Sequence, residues 1–222
     1  MATPLEKARK DPDSMKARIL MAARRVFGEY GFHGTTTRMI AQEVGIDVST
    51  IYYHWGEKGD LYEAVVLDIN KDLQRRLAKV EGIIHGLPLA KRMGIALDEL
   101  ADYLFKHPEI TNVIISRYFV KIRHEVSQDI DFPEYISNIA ISMHLAKSKK
   151  NVSAKHKLQM LAIMNAVYTF VSGAESFQES LGIEKDKYIS LVKDTLKFIL
   201  IPAFVNPMAE SGSKGDQKSK NQ

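Results

Sequence analysis

Hydrophobic residues recur along most of the chain at the three- and four-residue spacing of α-helices. The first clear stripe, which shares one face of a helix, consists of Ile19, Ala22, Ala23, Val26, Phe27 and Tyr30. Similar spacing predicts further helices over 37–44, 48–55, 60–82, 88–106, 108–127, 133–147, 153–181 and 185–203. No run of β-branched residues alternates with polar residues between turns, so no strand is predicted. The pattern therefore predicts an all-α protein.

The two ends of the chain lack this pattern. Residues 1–12 are charged and carry two prolines, and residues 206–222 contain almost nothing that could pack into a core. Such composition is typical of disordered segments. We expect both ends to be disordered.

Composition excludes several classes of protein. The chain has 222 residues, 45% of them hydrophobic, no cysteine and a formal net charge of +4. The absence of cysteine excludes disulfide frameworks and thiol nucleophiles. The charged N-terminus does not resemble a signal peptide, and no apolar run reaches the roughly 18 residues of a membrane span. A cytoplasmic protein without a membrane partner is expected.

The first 60 residues have the spacing of a helix-turn-helix. Ala41 is small enough to let the next helix cross closely, Gly45 can adopt the positive φ of a tight turn, and Ile51 would pack back into the core. The helix over 48–55 then carries a dense group of hydroxyl, aromatic and imidazole side chains, which suit phosphates and base edges in a DNA groove. A small helical hairpin whose tyrosines border the core remains the alternative.

The stretch from Phe27 to Val65 resembles the DNA-binding signature of the tetracycline-repressor (TetR) family of bacterial transcription regulators. The resemblance is carried by Phe27, Gly31, Thr35, Thr37, Ile40, Ala41, Gly45, Thr50, Ile51, Tyr52, Tyr53, Lys58 and Leu61. It implies an N-terminal helix-turn-helix domain over 13–60, followed by a helical ligand-binding and dimerisation domain over 61–205. It covers only about the first quarter of the chain by motif.

The resemblance also implies which residues contact DNA. These are Thr37, Arg38, Val48, Ser49, Thr50, Tyr52, Tyr53, His54 and Lys58. Thr37 and Arg38 would lie near the DNA backbone, and Val48 and Ser49 would meet base edges. Tyr52 would lie against the groove. The residues that would contact phosphates are Thr50, Tyr53, His54 and Lys58. Ile51 and Trp55 would be core.

The charge of the N-terminal region constrains how DNA would be bound. Nine basic residues face seven acidic ones over 1–58, so no strong basic field exists to hold DNA indiscriminately. Affinity should therefore require two half-sites that are engaged together by a dimer.

The predicted helices over 153–181 and 185–203 are candidates for a homodimer interface. The first is apolar nearly all round between Leu158 and Val171, so it must be covered on several sides. A second copy of the chain could cover part of it, as the last two helices do in the resembling family. The alternative is that both helices are core of a single chain.

Polar groups among apolar neighbours mark a candidate ligand pocket in the C-terminal region. Arg117 continues an apolar stripe, and a buried arginine needs a partner, either a ligand anion or an internal acid such as Glu99. The full candidate set is Tyr103, Arg117, Tyr118, Tyr135, Asn138, Asn165 and Tyr168. Each could instead be a satisfied core group. Apolar walls would favour a hydrophobic or amphipathic small molecule.

The sequence thus predicts a homodimeric, ligand-responsive transcriptional repressor that binds a palindromic double-stranded DNA operator. A sequence-tolerant architectural DNA-binding protein is the alternative. No nucleophile elbow, phosphate-binding loop, Rossmann glycine pattern or metal-ligand pair is found, so no enzyme activity, cofactor or metal is predicted.

Overall fold

The computed structural model describes residues 2–119 and 132–205, and within these residues all regular structure is helical. The prediction of an all-α fold is confirmed. The helices are α1 (Pro4–Lys10), α2 (Met15–Gly34), α3 (Thr37–Val44), α4 (Val48–Trp55), α5 (Lys58–Ile84), α6 (Leu89–Lys106), α7 (Pro108–Phe119), α8 (Phe132–Ser142), α9 (Ala154–Ser172), α10 (Ala174–Leu181) and α11 (Lys185–Val205), with a 3-10 turn over Lys149–Asn151. We refer to α1–α4 as the head and to α5–α11 as the body.

The helix pair α3 and α4 has the predicted bounds because its ends are specified locally. The Thr36 hydroxyl accepts a hydrogen bond from the Met39 backbone N–H at 3.2 Å and so begins α3. Gly45 ends it with a φ of 76°, a conformation that costs glycine little, and its N–H bonds to the Ala41 carbonyl at 2.9 Å. A tight turn between the two helices follows.

The prediction of a disordered segment over 1–12 is wrong for most of its length, because α1 lies within it. The Thr3 hydroxyl accepts from the Glu6 N–H at 3.2 Å, and a Glu6 carboxylate oxygen accepts from the Thr3 N–H at 2.8 Å. This reciprocal cap begins the helix, with Pro4 at a position that tolerates proline. Leu5 and Ala8 are buried, so α1 is packed against the rest of the head.

Two predicted helices of the C-terminal region are shorter than expected. The segment 153–181 forms two helices, α9 and α10, which meet at Gly173, and α8 ends at Ser142 instead of continuing to 147. The helix expected over 108–127 is seen as α7 up to Phe119, and its remainder lies outside the described residues. The expected tail over 206–222 also lies outside them.

The head and the body share one continuous hydrophobic core. Helix α2 packs against α3 within the head and against α5 and α7 of the body, while α6 packs against α11 and both α7 and α8 pack against α9. Buried residues run without interruption from Ile19 and Phe27 of the head to Leu61 and Val65 at the start of α5. The head is therefore held firmly against α5 and α7. Within the described residues, no helix is long and apolar enough to cross a membrane.

Candidate functional site

Helix α4 presents opposite faces to the core and to solvent. Ile51 is fully buried and Trp55 is 6% exposed, and the Trp55 indole N–H donates to the Lys16 carbonyl at 3.2 Å. Tyr52 and Tyr53 are 51% and 84% exposed. Exposing two neighbouring tyrosine rings is unusual for a helix that serves only as core, since aromatic residues are normally used to bury area. The outer face of α4 therefore has the character of a binding surface.

The other predicted contact residues lie along the same helix pair. Ser49 and Arg38 are exposed, whereas Val48, Thr50 and Thr37 are half-buried. Helix α3 packs against α4, so these residues belong to the same helix pair as the exposed tyrosines. Hydroxyl and guanidinium groups around aromatic rings can contact both phosphates and base edges.

His54 contacts Lys16 across 38 residues of sequence. The Lys16 ammonium donates to the His54 carbonyl at 3.0 Å and lies 3.3 Å from His54 Nδ1. Burial and the nearby Lys16 charge lower the pKa of His54 below its ordinary value of 6.5. Burial and the charge of Lys7 lower the pKa of Lys16 as well. Positive charge is thus crowded beside the C-terminal end of α4, where an anion would relieve it.

The structure gives Lys58 a structural role in addition to the predicted phosphate contact. Its ammonium donates to the carbonyls of Phe32 and Thr35, both at 2.9 Å, and lies 4.5 Å from the centroid of the Phe32 ring. Carbonyls at the end of a helix lack partners within the helix, and a lysine can supply them. Lys58 thereby fixes the C-terminal end of α2 against the start of α5.

The body contains a cavity of about 560 Å³ between α5, α6, α8 and α9. Its apolar walls are formed by Leu77, Ala78, Val80, Ile84, Met93, Ala96, Leu97, Leu100, Ile139, Met143, Met160, Ile163 and Met164. The polar lining groups are Gln74, Arg76, Glu81, Tyr135, Asn138, Ser142 and Tyr168. A mostly apolar cavity with a few polar groups is the usual form of a small-molecule site.

Three of the predicted pocket residues line this cavity, namely Tyr135, Asn138 and Tyr168. Tyr103, Arg117 and Asn165 do not line it. Asn165 donates to the Leu161 carbonyl of its own helix at 2.8 Å. The side chain of Tyr118 lies outside what the structure describes.

Arg117 does not pair with Glu99, the internal partner suggested by the sequence. Glu99 accepts from Arg76 at 2.5 Å instead. The charge of Arg117 is felt by Tyr62 instead. Burial raises the pKa of Tyr62, and the positive charge of Arg117 opposes that rise. Spacing along α7 could not show which neighbouring helix the arginine faces, and that is why the assignment failed.

Sequence reasoning missed a polar cluster at one end of the cavity. The buried Arg92 donates to both carboxylate oxygens of Glu81, at 3.1 and 3.3 Å, and to the carbonyl of Ser142. The Ser142 hydroxyl donates to Glu81, and Arg92 lies 3.0 Å from His144 Nε2. Since Glu81 and Ser142 line the cavity, this end of it is polar and its carboxylate charge is balanced by Arg92.

A second cluster of charges joins the head to the body. The buried Arg24 of α2 donates to Asp68 and Asp72 of α5, at 3.1 and 2.5 Å, and lies 3.4 Å from Glu109 of α7. Arg9 of α1 also reaches Asp68, at 2.5 Å. Burial by itself would raise the Asp72 pKa, but hydrogen bonds from Arg24 and Arg75 outweigh it and hold that pKa below 3.8. Four helices, α1, α2, α5 and α7, meet at this cluster, and each contributes charge.

Tyr103 connects the cavity wall with this charge cluster, which we call the joint between head and body. The guanidinium of Arg76, a cavity residue, lies 5.4 Å from the centre of the Tyr103 ring. Burial raises the Tyr103 pKa, while the nearby Arg24 guanidinium opposes that rise. A contiguous path of side chains therefore runs from the cavity through α6 to α2 of the head.

Comparison with known proteins agrees with this arrangement. Residues 19–65 match the bacterial regulatory proteins of the tetR family. The HTH-type transcriptional regulator UidR of Escherichia coli K12 is 32% identical over 90 residues, which are 40% of this chain and 44% of UidR. The HTH-type transcriptional repressor SCO4008 of Streptomyces coelicolor is 31% identical over 107 residues, 48% and 51% of the two chains. The chain thus spans about half the length of the curated relatives it matches.

The likeness in fold extends further than the likeness in sequence. The transcriptional regulator FadR of Bacillus subtilis, whose structure was determined in complex with stearoyl-CoA, superposes with a TM-score of 0.57 at 17% identity, over 83% of this chain and 96% of FadR. At that identity the similarity shows a common fold. The match to the tetR family itself is confined to residues 19–65, which run from α2 to the first turns of α5.

Proposed function

We propose that this protein is a DNA-binding transcriptional regulator whose heads bind an operator and whose body binds a small molecule. The exposed outer face of α4, with Tyr53 84% exposed and Ile51 fully buried, carries the proposal. Buried Ile51 and Trp55 fix the helix while the tyrosines and Ser49 remain available to a major groove. Residues 13–60 are the proposed DNA-binding domain, and residues 61–205 are the proposed ligand-binding and dimerisation domain.

The proposed operator is palindromic because the regulator is proposed to be a homodimer. Five apolar residues of α9 are buried within the chain, while its Leu158 is 68% exposed. Leu191, Phe198 and Ile199 of α11 and Leu181 of α10 are exposed as well. Leu191, Phe198 and Ile199 have the i, i+7, i+8 spacing of one helix face. An apolar face of this size is typical of an interface with a second copy. The proposed dimer interface lies on α10 and α11, with the exposed Leu158 of α9 as a further candidate contact.

Ligand response is proposed from the cavity and from its connection to the head. An apolar or amphipathic molecule in the cavity would contact Arg76, whose neighbour Tyr103 reaches Arg24 at the joint. A ligand that favours one arrangement of this path would change the orientation of the heads. Ligand and DNA must then change each other's affinity by the same factor. The stearoyl-CoA complex of FadR supports an acyl chain as one class of effector.

A footprint on the DNA that flanks the gene of this protein tests the proposal. We expect protection of two half-sites about one helical turn apart, at protein concentrations that leave random DNA unprotected. Adding acyl compounds one at a time is expected to remove the protection for a repressor of this type. Equal protection of random DNA would instead favour an architectural protein, and no protection at low salt would overturn the proposal.

A further inference from the structure

A lysine-rich segment lies beside the polar end of the cavity. Five lysines occur between α8 and the first turns of α9, at positions 147, 149, 150, 155 and 157. No aspartate or glutamate occurs anywhere from Tyr135 to Ala174, a stretch of 40 residues. Lys147, Lys149, Lys150 and Lys155 are exposed and Lys157 is half-buried. We refer to residues 147–157 as the lysine loop.

The lysine loop is close to the cavity because the residues on both sides of it form cavity walls. Met143, which directly follows α8, lines the cavity four residues before Lys147, and Met160 of α9 lines it one helical turn after Lys157. Leu145 and Val152 pack against the cluster that contains Met160, so the loop is anchored to the cavity wall at both ends. The polar cluster of Glu81, Ser142 and Arg92 lies at this same end.

The positive charge of the lysine loop is unfavourable for the fold by itself. Lys155 and Lys157 lie in the first turns of α9, where the helix dipole disfavours cations, and the first turn of that helix contains no acidic residue. Glu81, the carboxylate that lines this end of the cavity, is paired with Arg92 at 3.1 Å and lies 3.7 Å from His85. A site that concentrates positive charge at a cost in stability is expected to serve binding.

We propose that the lysine loop binds the phosphate-bearing headgroup of an amphipathic ligand whose apolar tail occupies the cavity. Lysine ammonium groups bind phosphate as point charges, and the methionine, leucine and isoleucine walls bind the tail. The cavity is lined along α5 from Gln74 to Ile84, about 15 Å at 1.5 Å per residue, which suits an extended chain. This inference rests on the proposed function and specifies the chemistry of the effector.

Calorimetric titration of the full chain with matched probes tests the inference. The probes are decyl phosphate, 1-decanol and inorganic phosphate, each below its aggregation concentration. Decyl phosphate is expected to bind wild type about tenfold or more tightly than 1-decanol at low salt, and added salt should reduce this preference. Inorganic phosphate should bind far more weakly than decyl phosphate.

Two double variants separate the lysine loop from general surface charge. Lys147→Gln/Lys150→Gln is expected to weaken decyl phosphate about three- to tenfold, as two exposed charge pairs would, and to leave 1-decanol unchanged. Lys185→Gln/Lys187→Gln, which removes the same charge at exposed positions of α11, should behave as wild type.

Several outcomes would overturn the inference. These are equal affinity for decyl phosphate and 1-decanol, equal losses in the two double variants, or binding of inorganic phosphate as tightly as decyl phosphate. A loop variant that loses operator affinity while keeping its preference for decyl phosphate would also overturn it, since the lysines would then serve DNA. Footprinting tests the proposed function independently of this inference. An operator footprint without a preference for decyl phosphate over 1-decanol overturns the inference and leaves the proposed function standing. A preference for decyl phosphate without any footprint overturns only the DNA-binding function.

Discussion

Neighbouring residues of α4 lie in opposite environments: Ile51 and Trp55 are buried in the core, and Tyr52 and Tyr53 are exposed to solvent. Burial of Ile51 and Trp55 follows from their four-residue spacing, and the exposure of Tyr52 and Tyr53 follows from their place on the opposite face. The contacts of His54 and Lys58 could not be predicted, because their partners Lys16 and Phe32 are 38 and 26 residues away in sequence. Single-residue roles were thus predictable where helical periodicity decides them.

His54 should make operator affinity depend on pH. Its pKa in the protein alone is held below 6.5 by burial and by Lys16, with Lys7 and the Tyr53 ring nearby. A DNA phosphate at this position would raise that pKa, so protons are taken up on binding and affinity should rise as the pH falls through about 6.5. Anisotropy titrations between pH 5.5 and 8, compared with His54→Gln, measure this effect.

His54 should also make folding stability depend on pH, but stability should fall as the pH falls, whereas operator affinity should rise. Because the folded protein lowers the pKa of His54, the unfolded chain binds the proton first, and the unfolding free energy should fall as the pH drops below 6.5. His54→Gln should remove both dependences. An affinity that falls on acidification, equally in wild type and variant, would show that His54 does not contact phosphate.

Helix bounds were predictable where a local cap coincides with a clear hydrophobic stripe. The turn at Gly45 gave the bounds of α3 and α4. Helix α1 was missed although Thr3 and Glu6 have the spacing of a capping box, because only Leu5 and Ala8 mark its buried side. The division of α9 from α10 was missed for another reason. The backbone of Gly173 has a φ of −89°, and the apolar pattern continues across it.

The close approach of α2 and α7 depends on Gly28. A Cβ at this position would lie 2.6 Å from Glu109 Cβ and 2.8 Å from its Cα, so the two helices would have to separate. Gly28→Ala is expected to lower the unfolding free energy by about 1–3 kcal/mol, the usual range for overpacking. Gly82→Ala is the matched control, since nothing lies within 4 Å of its Cβ and alanine favours helix by up to about 1 kcal/mol. Urea unfolding measures both, and similar stability in the two variants would contradict the packing described.

The charge cluster at the joint can be tested with two adjacent arginines. Arg24 has a side chain only 4% exposed, while Arg25, paired with Glu43, is 56% exposed. Arg24→Met is expected to lower the unfolding free energy by about 3 kcal/mol at pH 7, since it leaves Asp68 and Asp72 without their main partner. Arg25→Met should cost less than about 1 kcal/mol.

The effect of Arg24→Met should also depend on pH. The pKa of Asp72 is held below 3.8 in the folded protein, so its contribution is present above that value and is lost as the pH falls through the folded pKa. The difference between wild type and Arg24→Met should therefore shrink below about pH 4. Equal costs for the two arginine variants, at all pH values, would show that the cluster does not stabilise the joint.

At the scale of the whole molecule, the sequence predicted the fold class but only part of the cavity. Tyr135, Asn138 and Tyr168 were identified as polar groups on apolar helices, whereas Arg76 and Glu81 were missed among the many charges of α5. Both lie on a helix that carries charged residues along much of its length, and helical spacing does not show which of them face another helix. The joint at Arg24 likewise unites segments that are about 45 to 85 residues apart.

The proposed dimer face predicts the effect of a single buried charge. Phe198 is 81% exposed in one chain, and Phe198→Asp is expected to produce a monomer, because an unpaired carboxylate in an apolar interface is strongly unfavourable. Operator affinity should fall with it, since two half-sites can no longer be held together. Ile83→Asp, at an exposed apolar position of α5, serves as the control and should leave the mass unchanged. Light scattering after size exclusion measures the molar mass of each variant. A dimeric mass for Phe198→Asp would show that the interface lies elsewhere.

The most direct test of the account is the affinity of the operator for wild type, Tyr53→Ala and Tyr30→Ala, measured by fluorescence anisotropy over a range of salt. Both tyrosines are exposed, but only Tyr53 lies on α4. We predict a log–log salt slope of roughly −4 to −7 for wild type, from about two to four phosphates per subunit, and a loss of about tenfold or more for Tyr53→Ala with unchanged stability. Tyr30→Ala should bind as wild type does. Operator binding by Tyr53→Ala at wild-type affinity, or unfolding of that variant, would contradict the assignment of α4 as the DNA-reading helix.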